Sequence, residues 1–496
     1  MAGNGTLRDP MKGLRDFCCA EIWSMEMSKV NEPPRRFEAG FFASEGYRAV
    51  DAMHRSGFDM ETVGKAASVV WPGVFARRFV KDPQHGAPFM ATSVMMEARP
   101  RPSNYLSFKN TKNLDAYLVR EDTILISRSG TVGNVCLTTK DIEGWAVSDD
   151  AIRVTVNHPD HLGPVYCFLQ SPLGQFLLKK SQTGSVVRHI YEVDVSTLPI
   201  PRLPRALRDE LTRLVKQASA LRVEANRLLD EAEEMVQKQL YLPDIEEFDS
   251  SQRTDGVSFS VSHAEKFGSR GVYGTARLDA TYHRPEIETL RKCLSSKRQA
   301  AELHTYVSGI FRSSLRQRVF VDEPTLGIPM MGGKELMRLR LTEPKYLSKL
   351  HTKKAASEQV GAGWTLVTSG GTLGRTMFVH RNLERWAVSE HVLKVVPDPM
   401  KVAPGFVFAF LSSSYGKLQI DREAYGSVIP MLRDFQLGRV MLALPDDRGE
   451  SIHEVVVQAF SARADAIEAE DQAFALFMAA VKQGRKTIES EWGDQY

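Results

Sequence analysis

Residues 127–135 read SRSGTVGNV, two glycines and a set of hydroxyl side chains held between the apolar runs TILI and VCL. That composition suits a loop that cradles phosphate, but such a loop also needs a lysine beside its closing Ser or Thr, and none is there. Strand-forming residues flank the stretch on both sides, so a strand-turn-strand corner with Gly130 and Gly133 in the tight positions is the better reading. No other arrangement supplies chemistry. There is no dinucleotide-binding glycine pattern, and GSRGVYG at 268–274 reads as a flexible connection. The adjacent carboxylates of SDD, 148–150, suggest an acid pair. His189, His283 and His391 are isolated and read as satisfied structural histidines. Five scattered cysteines (Cys18, Cys19, Cys136, Cys167, Cys293) follow no zinc or disulfide spacing. No catalytic residue and no metal ligand is assigned.

The 496 residues are 43% apolar and carry a net charge of +3, which excludes a disordered chain and is too mild to name a nucleic-acid binder. No run of about 18 apolar residues is present, and acids and bases mix early, so a cytoplasmic protein without membrane contact is expected.

The organising feature is a repeat. GAPFM at 86–90 recurs as GIPMM at 327–331, NYLS at 104–107 as KYLS at 345–348, and WAVS at 145–148 as WAVS at 386–389, each 241 residues later. SGTVG at 129–133 recurs as GGTLG at 370–374, which adds Gly371 and Gly374 to the corner glycines and again lacks the lysine. SDD becomes SEH, so a catalytic acid pair common to both copies is not kept. Residues 36–148 laid on 277–389 give 28 identities in 113 pairs; ordinary composition predicts about 7. The offset then drifts by one, from GSVV at 184–187 to GSVI at 426–429, and both copies leave through a Pro-marked exit, LPIPRLP and LALP.

Each exit leads into a helix. Residues 205–240 lack Gly and Pro, and Leu207, Leu211, Leu214, Ala218, Leu221, Ala225, Leu228, Ala232 and Met235 recur at steps of four and three, a coiled-coil seam. At 1.5 Å per residue this is a rod of about 54 Å. The second helix is expected to open with Ser451 and Glu454 as a capping box. Its seam runs Ile452, Val455, Ala459, Ala462, Ala466, Ala469, Ala473, Leu476 and Ala480, small enough for close approach. The expected fold is α+β: an N-terminal extension at 1–35, a mixed α/β domain at 36–204, a helix at 205–242, a second domain at 262–446 and a helix at 449–485. The helices would pair antiparallel, with the globules at opposite ends of the rod.

Charge follows the same partition. Residues 65–120 hold nine bases against three acids and 307–361 ten against five, whereas the first helix is balanced and the second acidic. Two basic globules suit a polyanion such as double-stranded DNA. Arg77, Arg99 and Lys112 recur as Arg318, Arg340 and Lys353, fitting a task common to both copies, either support of the fold or phosphate contact. Arg78, Lys81, Arg101, Lys109, Arg316, Lys334, Lys345 and Lys354 have no basic counterpart, and base-edge contacts that differ between copies would come from such positions.

Two divergent repeats of about 240 residues, opening on RFEA (36–39) and RLDA (277–280), carrying ILISRSGTVG or TLVTSGGTLG, then GSVV or GSVI and a Pro-marked exit into a long helix, resemble the specificity (S) subunit of type I restriction-modification enzymes. The resemblance begins near residue 36; the first 35 residues have no counterpart in the second copy. It implies two target-recognition domains that read the halves of a bipartite DNA site, with the paired helices setting the gap. It also implies two methyltransferase (M) subunits using S-adenosylmethionine and restriction (R) subunits using ATP and Mg, with no cofactor on this chain and no catalysis by it. A specificity subunit of another methylation-based phage-defence system, or a stand-alone DNA-modifying enzyme, are the alternatives.

Overall fold

The computed structural model describes residues 50–51, 53–102, 104–180, 189–248, 280–313, 318–340, 344–352, 355–426, 429–493 and 495. The N-terminal extension, RFEA, most of RLDA, GSRGVYG, GSVV, and Arg316, Lys353 and Lys354 lie outside them.

Each copy builds the same two sheets in the same order. In the first, the central sheet runs Ala67–Val70, Ala151–Val156, Ile124–Ser127, Val135–Leu137, all antiparallel. In the second it runs Val307–Arg312, Val392–Pro397, Thr365–Thr368, Thr376–Phe378. Ile124–Ser127 and Thr365–Thr368 are buried at every position, the pattern of a strand covered on both faces. A smaller sheet orders Phe79–Val80, Asn104–Ser107, Gly86–Met90 and Ala146–Val147, mirrored by Phe320–Val321, Lys345–Ser348, Gly327–Met331 and Ala387–Val388. The Pro-marked exits pair back onto each globule's entrance: Met60–Thr62 with Pro199–Pro201, and Ala301–Glu302 with Met441–Leu442. Prolines fit there because these two-stranded edges need few ladder donors.

Four helices carry the architecture. Leu162–Gln170 (α1) and Pro404–Ser412 (α3) are apolar nearly throughout. Arg205–Gln239 (α2) and Glu450–Gln483 (α4) are the long helices. The α2 and α4 helices lie antiparallel, as Arg222 meets Glu470, Asn226 meets Arg463 and Gln239 meets Ser451. Ala218, Ala466 and Ala469 meet at the centre beside Leu221, where small side chains let the backbones approach.

Toward either end the pair enters a globule's core. One core takes Leu207, Leu211, Leu214 and Val215 from α2 with Phe474, Phe477 and Val481 from α4. The other takes Leu228, Leu229 and Val236 from α2 with Ile452, Val456 and Phe460 from α4. The short helices dock tightly: a Cβ on Gly163 of α1 would stand 2.3 Å from the Thr212 amide nitrogen, and one on Gly405 of α3 2.7 Å from the His453 Cα.

Three expectations change. The buried stripe of α4 is aromatic as well as small, and Val455 and Leu476 lie at its border, as Leu221 and Met235 do on α2. The cause is that the helices face a globule as well as each other, which widens a two-position seam. Ser451 does not cap: α4 starts at Glu450 after Gly449 at φ 84°, and the Asp447 carboxylate accepts from the Gly449 and Ser451 amides. Ser451 Oγ instead accepts from Gln239. Finally, the globules are not kept apart by the rod. Loop residues related by the repeat pair across the middle, Ala98 N donating to Met337 O (2.7 Å) and Leu339 N to Met96 O (2.8 Å). This is the reciprocal contact expected at a two-fold axis.

The pair is pinned by a buried triad. Glu470 accepts from Arg222 (2.7 Å) and from the Tyr166 hydroxyl (2.6 Å), and all three side chains are buried. Burial alone would raise the Glu470 pKa, but the Arg222 guanidinium and the Tyr166 hydrogen bond hold it below the ordinary carboxylate value. Removing one partner of such a pair leaves a naked buried charge, at about 3–5 kcal/mol, whereas replacing both with apolar groups is near neutral. Glu470→Leu is therefore expected to lower the urea midpoint sharply, and Arg222→Met added to it to recover most of the loss.

Candidate nucleic-acid interface

The corner glycines occupy equivalent turns. Gly130, Gly133, Gly371 and Gly374 have φ of 71°, 87°, 75° and 69°, in loops joining antiparallel strands. In the first copy Ser127 Oγ accepts from Asn134 N and donates to Thr131 O; in the second Thr368 Oγ1 does the same with Arg375 N and Thr372 O. The Ser127 and Thr368 hydroxyls are spent on the turn itself. The first turn lines a groove between the copies, opposite Arg318, Phe320 and Lys345, in a cavity of about 600 Å³.

The arginines common to both copies are held by acids, whereas Lys112 is not. Arg77 bonds Asp149 at 2.6 Å and Arg318 bonds Glu390, the same ion pair 241 residues apart. This accounts for the SDD and SEH stretches: Asp149 and Glu390 anchor an arginine, while Asp150 accepts from the Ser129 hydroxyl at 2.6 Å. Arg99 bonds Asp230 and Glu233 of α2, and Arg340 bonds Asp471 of α4, again the same tie between globule and rod. Arg101, expected among the sequence-reading residues, is also drawn to Asp230 (2.9 Å) because α2 runs beneath its loop.

The remaining candidates present free charge. Arg78, Lys81, Lys109, Lys112 and Lys334 are exposed and make no ion pair with a described residue. Lys345 is exposed with its ammonium 5.7 Å from the Phe320 ring. Arg78 and Lys81 flank the edge strand Phe79–Val80, and Lys109 and Lys112 lie just beyond its neighbour Asn104–Ser107, with which it pairs. Phe79, Phe320 and Phe108 stand exposed among these cations. The aromatics escaped the charge count, although Phe79 and Phe320 are matched residues whose identity could have drawn attention. Basic side chains interleaved with exposed rings fit a phosphate backbone with exposed base edges.

Other groups offer no catalytic arrangement. Among the described residues no three His, Cys, Asp or Glu are grouped to hold a metal. No described helix is long and apolar enough to cross a membrane. Cys136 and Cys167 are free and buried, and burial pushes the Cys136 thiol up to about 12. His391 is half-exposed, 3.7 Å from Glu390, and the His189 Nδ1 is buried without a partner, so neither is the satisfied core histidine expected.

No family model and no curated protein matches the chain. Solved structures align along most of it, among them the following three. The S subunit of a type I restriction-modification system from M. genitalium is 12% identical, covering 87% of this chain and 96% of its own, with TM-score 0.32. The HsdS subunit from Thermoanaerobacter tengcongensis is 14% identical, covering 89% and 97%, with TM-score 0.26. A structure describing complex assembly and conformational transition of the type I R-M system is 13% identical, covering 88% and 97%, with TM-score 0.27.

Since Arg77 neutralises the buried Asp149, Arg77→Met is expected to destabilise the chain by about 1–3 kcal/mol, the cost of a buried acceptor left unsatisfied. Arg78→Met beside it should be within about 0.5 kcal/mol of wild type. Paired thermal melts check the contrast.

Proposed function

We propose that this chain is a non-catalytic specificity subunit that reads a two-part DNA sequence and delivers partner enzymes to it. One observation carries the reading: two globules of identical topology keep the ion pairs that hold their frames and differ in their exposed basic side chains. A duplicated frame with divergent surfaces is what two different half-sites require. The antiparallel helices and the reciprocal Met96–Ala98 and Met337–Leu339 contact fix the distance between those surfaces, hence the gap between half-sites.

The outer faces of the long helices suit protein partners. Arg213 with Glu210, and Arg227 with Glu224 and Glu231, neutralise each other along α2, leaving little field to attract DNA. Two methyltransferase subunits carrying S-adenosylmethionine would dock there and modify adenine in each half-site, with restriction subunits supplying ATP-dependent cleavage, in the cytoplasm where genomic DNA is reached. A specificity subunit of a related methylation-based defence system shares every one of these features.

Binding through phosphates falls with salt at about 0.9 log unit per contact in a log–log plot. Neutralising Arg78, Lys81, Lys109 and Lys112 together should weaken DNA binding at low salt and reduce that slope by up to about 4. Fluorescence-anisotropy titrations across a salt series give the slope. An unchanged slope would place the DNA elsewhere.

A further inference from the structure

The two-fold relation between the helices holds residue by residue, and it breaks at one buried charge. Residues of α2 map onto α4 at the 241-residue offset: buried Leu211, Val215, Ala218, Arg222, Ala225, Leu228, Ala232 and Val236 correspond to buried Ile452, Val456, Ala459, Arg463, Ala466, Ala469, Ala473 and Phe477. Arg463 is therefore the mate of Arg222. The mate of Glu470 is Leu229, and in the globule Tyr166 is replaced by Phe408 and Gln170 by Ser412. One half holds a complete buried network in which Tyr166 and Arg222 donate to Glu470 and Gln170 donates to Tyr166. The other half keeps only the arginine.

What surrounds Arg463 does not replace the lost acid. The residue is 8% exposed, its hydrogen bond is a 3.4 Å contact to Asn226, and its guanidinium lies 5.0 Å from the Phe460 ring. Burial, with Arg99 and Arg222 nearby, pushes its pKa down to about 9, which leaves it charged at neutral pH. His380 offers no countercharge: burial, with Arg463 and Arg381, pushes it down to about 3. An arginine keeps its proton in a protein; buried Arg153 is held by three backbone carbonyls, whereas buried Arg463 has one long contact to set against its charge, so an anion is the partner it lacks.

Space for an anion lies beside it. Leu229, Phe408, Ser412 and Arg463 line a cavity of about 390 Å³ that also receives Arg375, Arg99, Arg101 and Lys417. Arg375 is matched by Glu97 at 2.5 Å, and Arg99 and Arg101 by Asp230 and Glu233. Arg463 and Lys417 remain, and Lys417 makes no ion pair with a described residue. The position of Lys417 in the first copy is Gln175, a neutral side chain bonded to the Gly133 and Leu169 carbonyls. Relative to its mate, this cavity has thus lost a carboxylate and gained an ammonium.

We propose that the cavity between α2, α3 and the 94–102 loop binds a small phosphate-type oxyanion, which takes the place against Arg463 that the Glu470 carboxylate takes against Arg222. Its walls belong to both long helices, the second globule and the clasp loop of the first, so occupancy would stabilise the closed relation of the copies. Thermal unfolding of the full chain in inorganic phosphate, against chloride at equal ionic strength, tests this. Phosphate should raise the Tm by a few degrees. Arg463→Met should raise the Tm in chloride and abolish the phosphate increment. Leu229→Glu, which supplies the carboxylate from within, should do both as well and stands as the second variant if the first does not fold. Equal wild-type melting in phosphate and chloride, or an increment that survives in either folded variant, would overturn the proposal.

Discussion

Two long helices, each apolar along one side, can bury that side only against a partner, and here each finds it in the other and in both globules at once. Because α2 contributes Leu207–Val215 to one core and Leu228–Val236 to the other, and α4 does the reverse, neither globule closes its core with its own helix alone. The distance between the two basic surfaces is then a consequence of packing. A slip along the helix pair would expose Phe460, Phe474 and Phe477 and tear Glu470 from Arg222, so the register has a single solution.

Duplication explains how such a frame could carry the two specificities proposed for it. Residues that fix geometry are kept in both copies: the corner glycines Gly130, Gly133, Gly371 and Gly374, the turn hydroxyls of Ser127 and Thr368, the Arg77–Asp149 and Arg318–Glu390 pairs, and the ties of Arg99 and Arg340 to the helices. Surface charge drifts freely around them, as Arg78, Lys81 and Lys109 in one copy face Val319, Asp322 and Leu350 in the other. The drift also reaches the interior: a buried Lys394–Glu358 pair stands where the other copy has Arg153 and Tyr117, and Leu229 stands opposite Arg463, which leaves an unmatched guanidinium.

Much of this was legible in the sequence because the repeat doubled every signal. The 241-residue offset and the four-three spacing of Leu207 through Met235 were enough to propose two globules and an antiparallel pair. What escaped was set by contacts distant in sequence. Nothing local to Arg77 or Arg99 says that Asp149 and Asp230 will neutralise them, so the sequence left fold support and phosphate contact both open, and the ion pairs decide for support. Asp447, accepting from two amides, displaced Ser451 as the cap because Gln239, 212 residues away, holds the serine. The meeting of Met96 with Leu339 depends on how far each loop reaches over the rod, which spacing within one copy does not encode.

On the proposed reading, one rigid frame presents two different DNA-facing surfaces at a fixed distance. That reading is tested most directly by sequencing modified adenines in a genome that carries this gene and its methyltransferase, before and after the gene is deleted. The account predicts a methylated motif of two unlike half-sites separated by an invariant number of base pairs, lost on deletion. A methylome that deletion leaves unchanged, or half-sites at variable spacing, would contradict it.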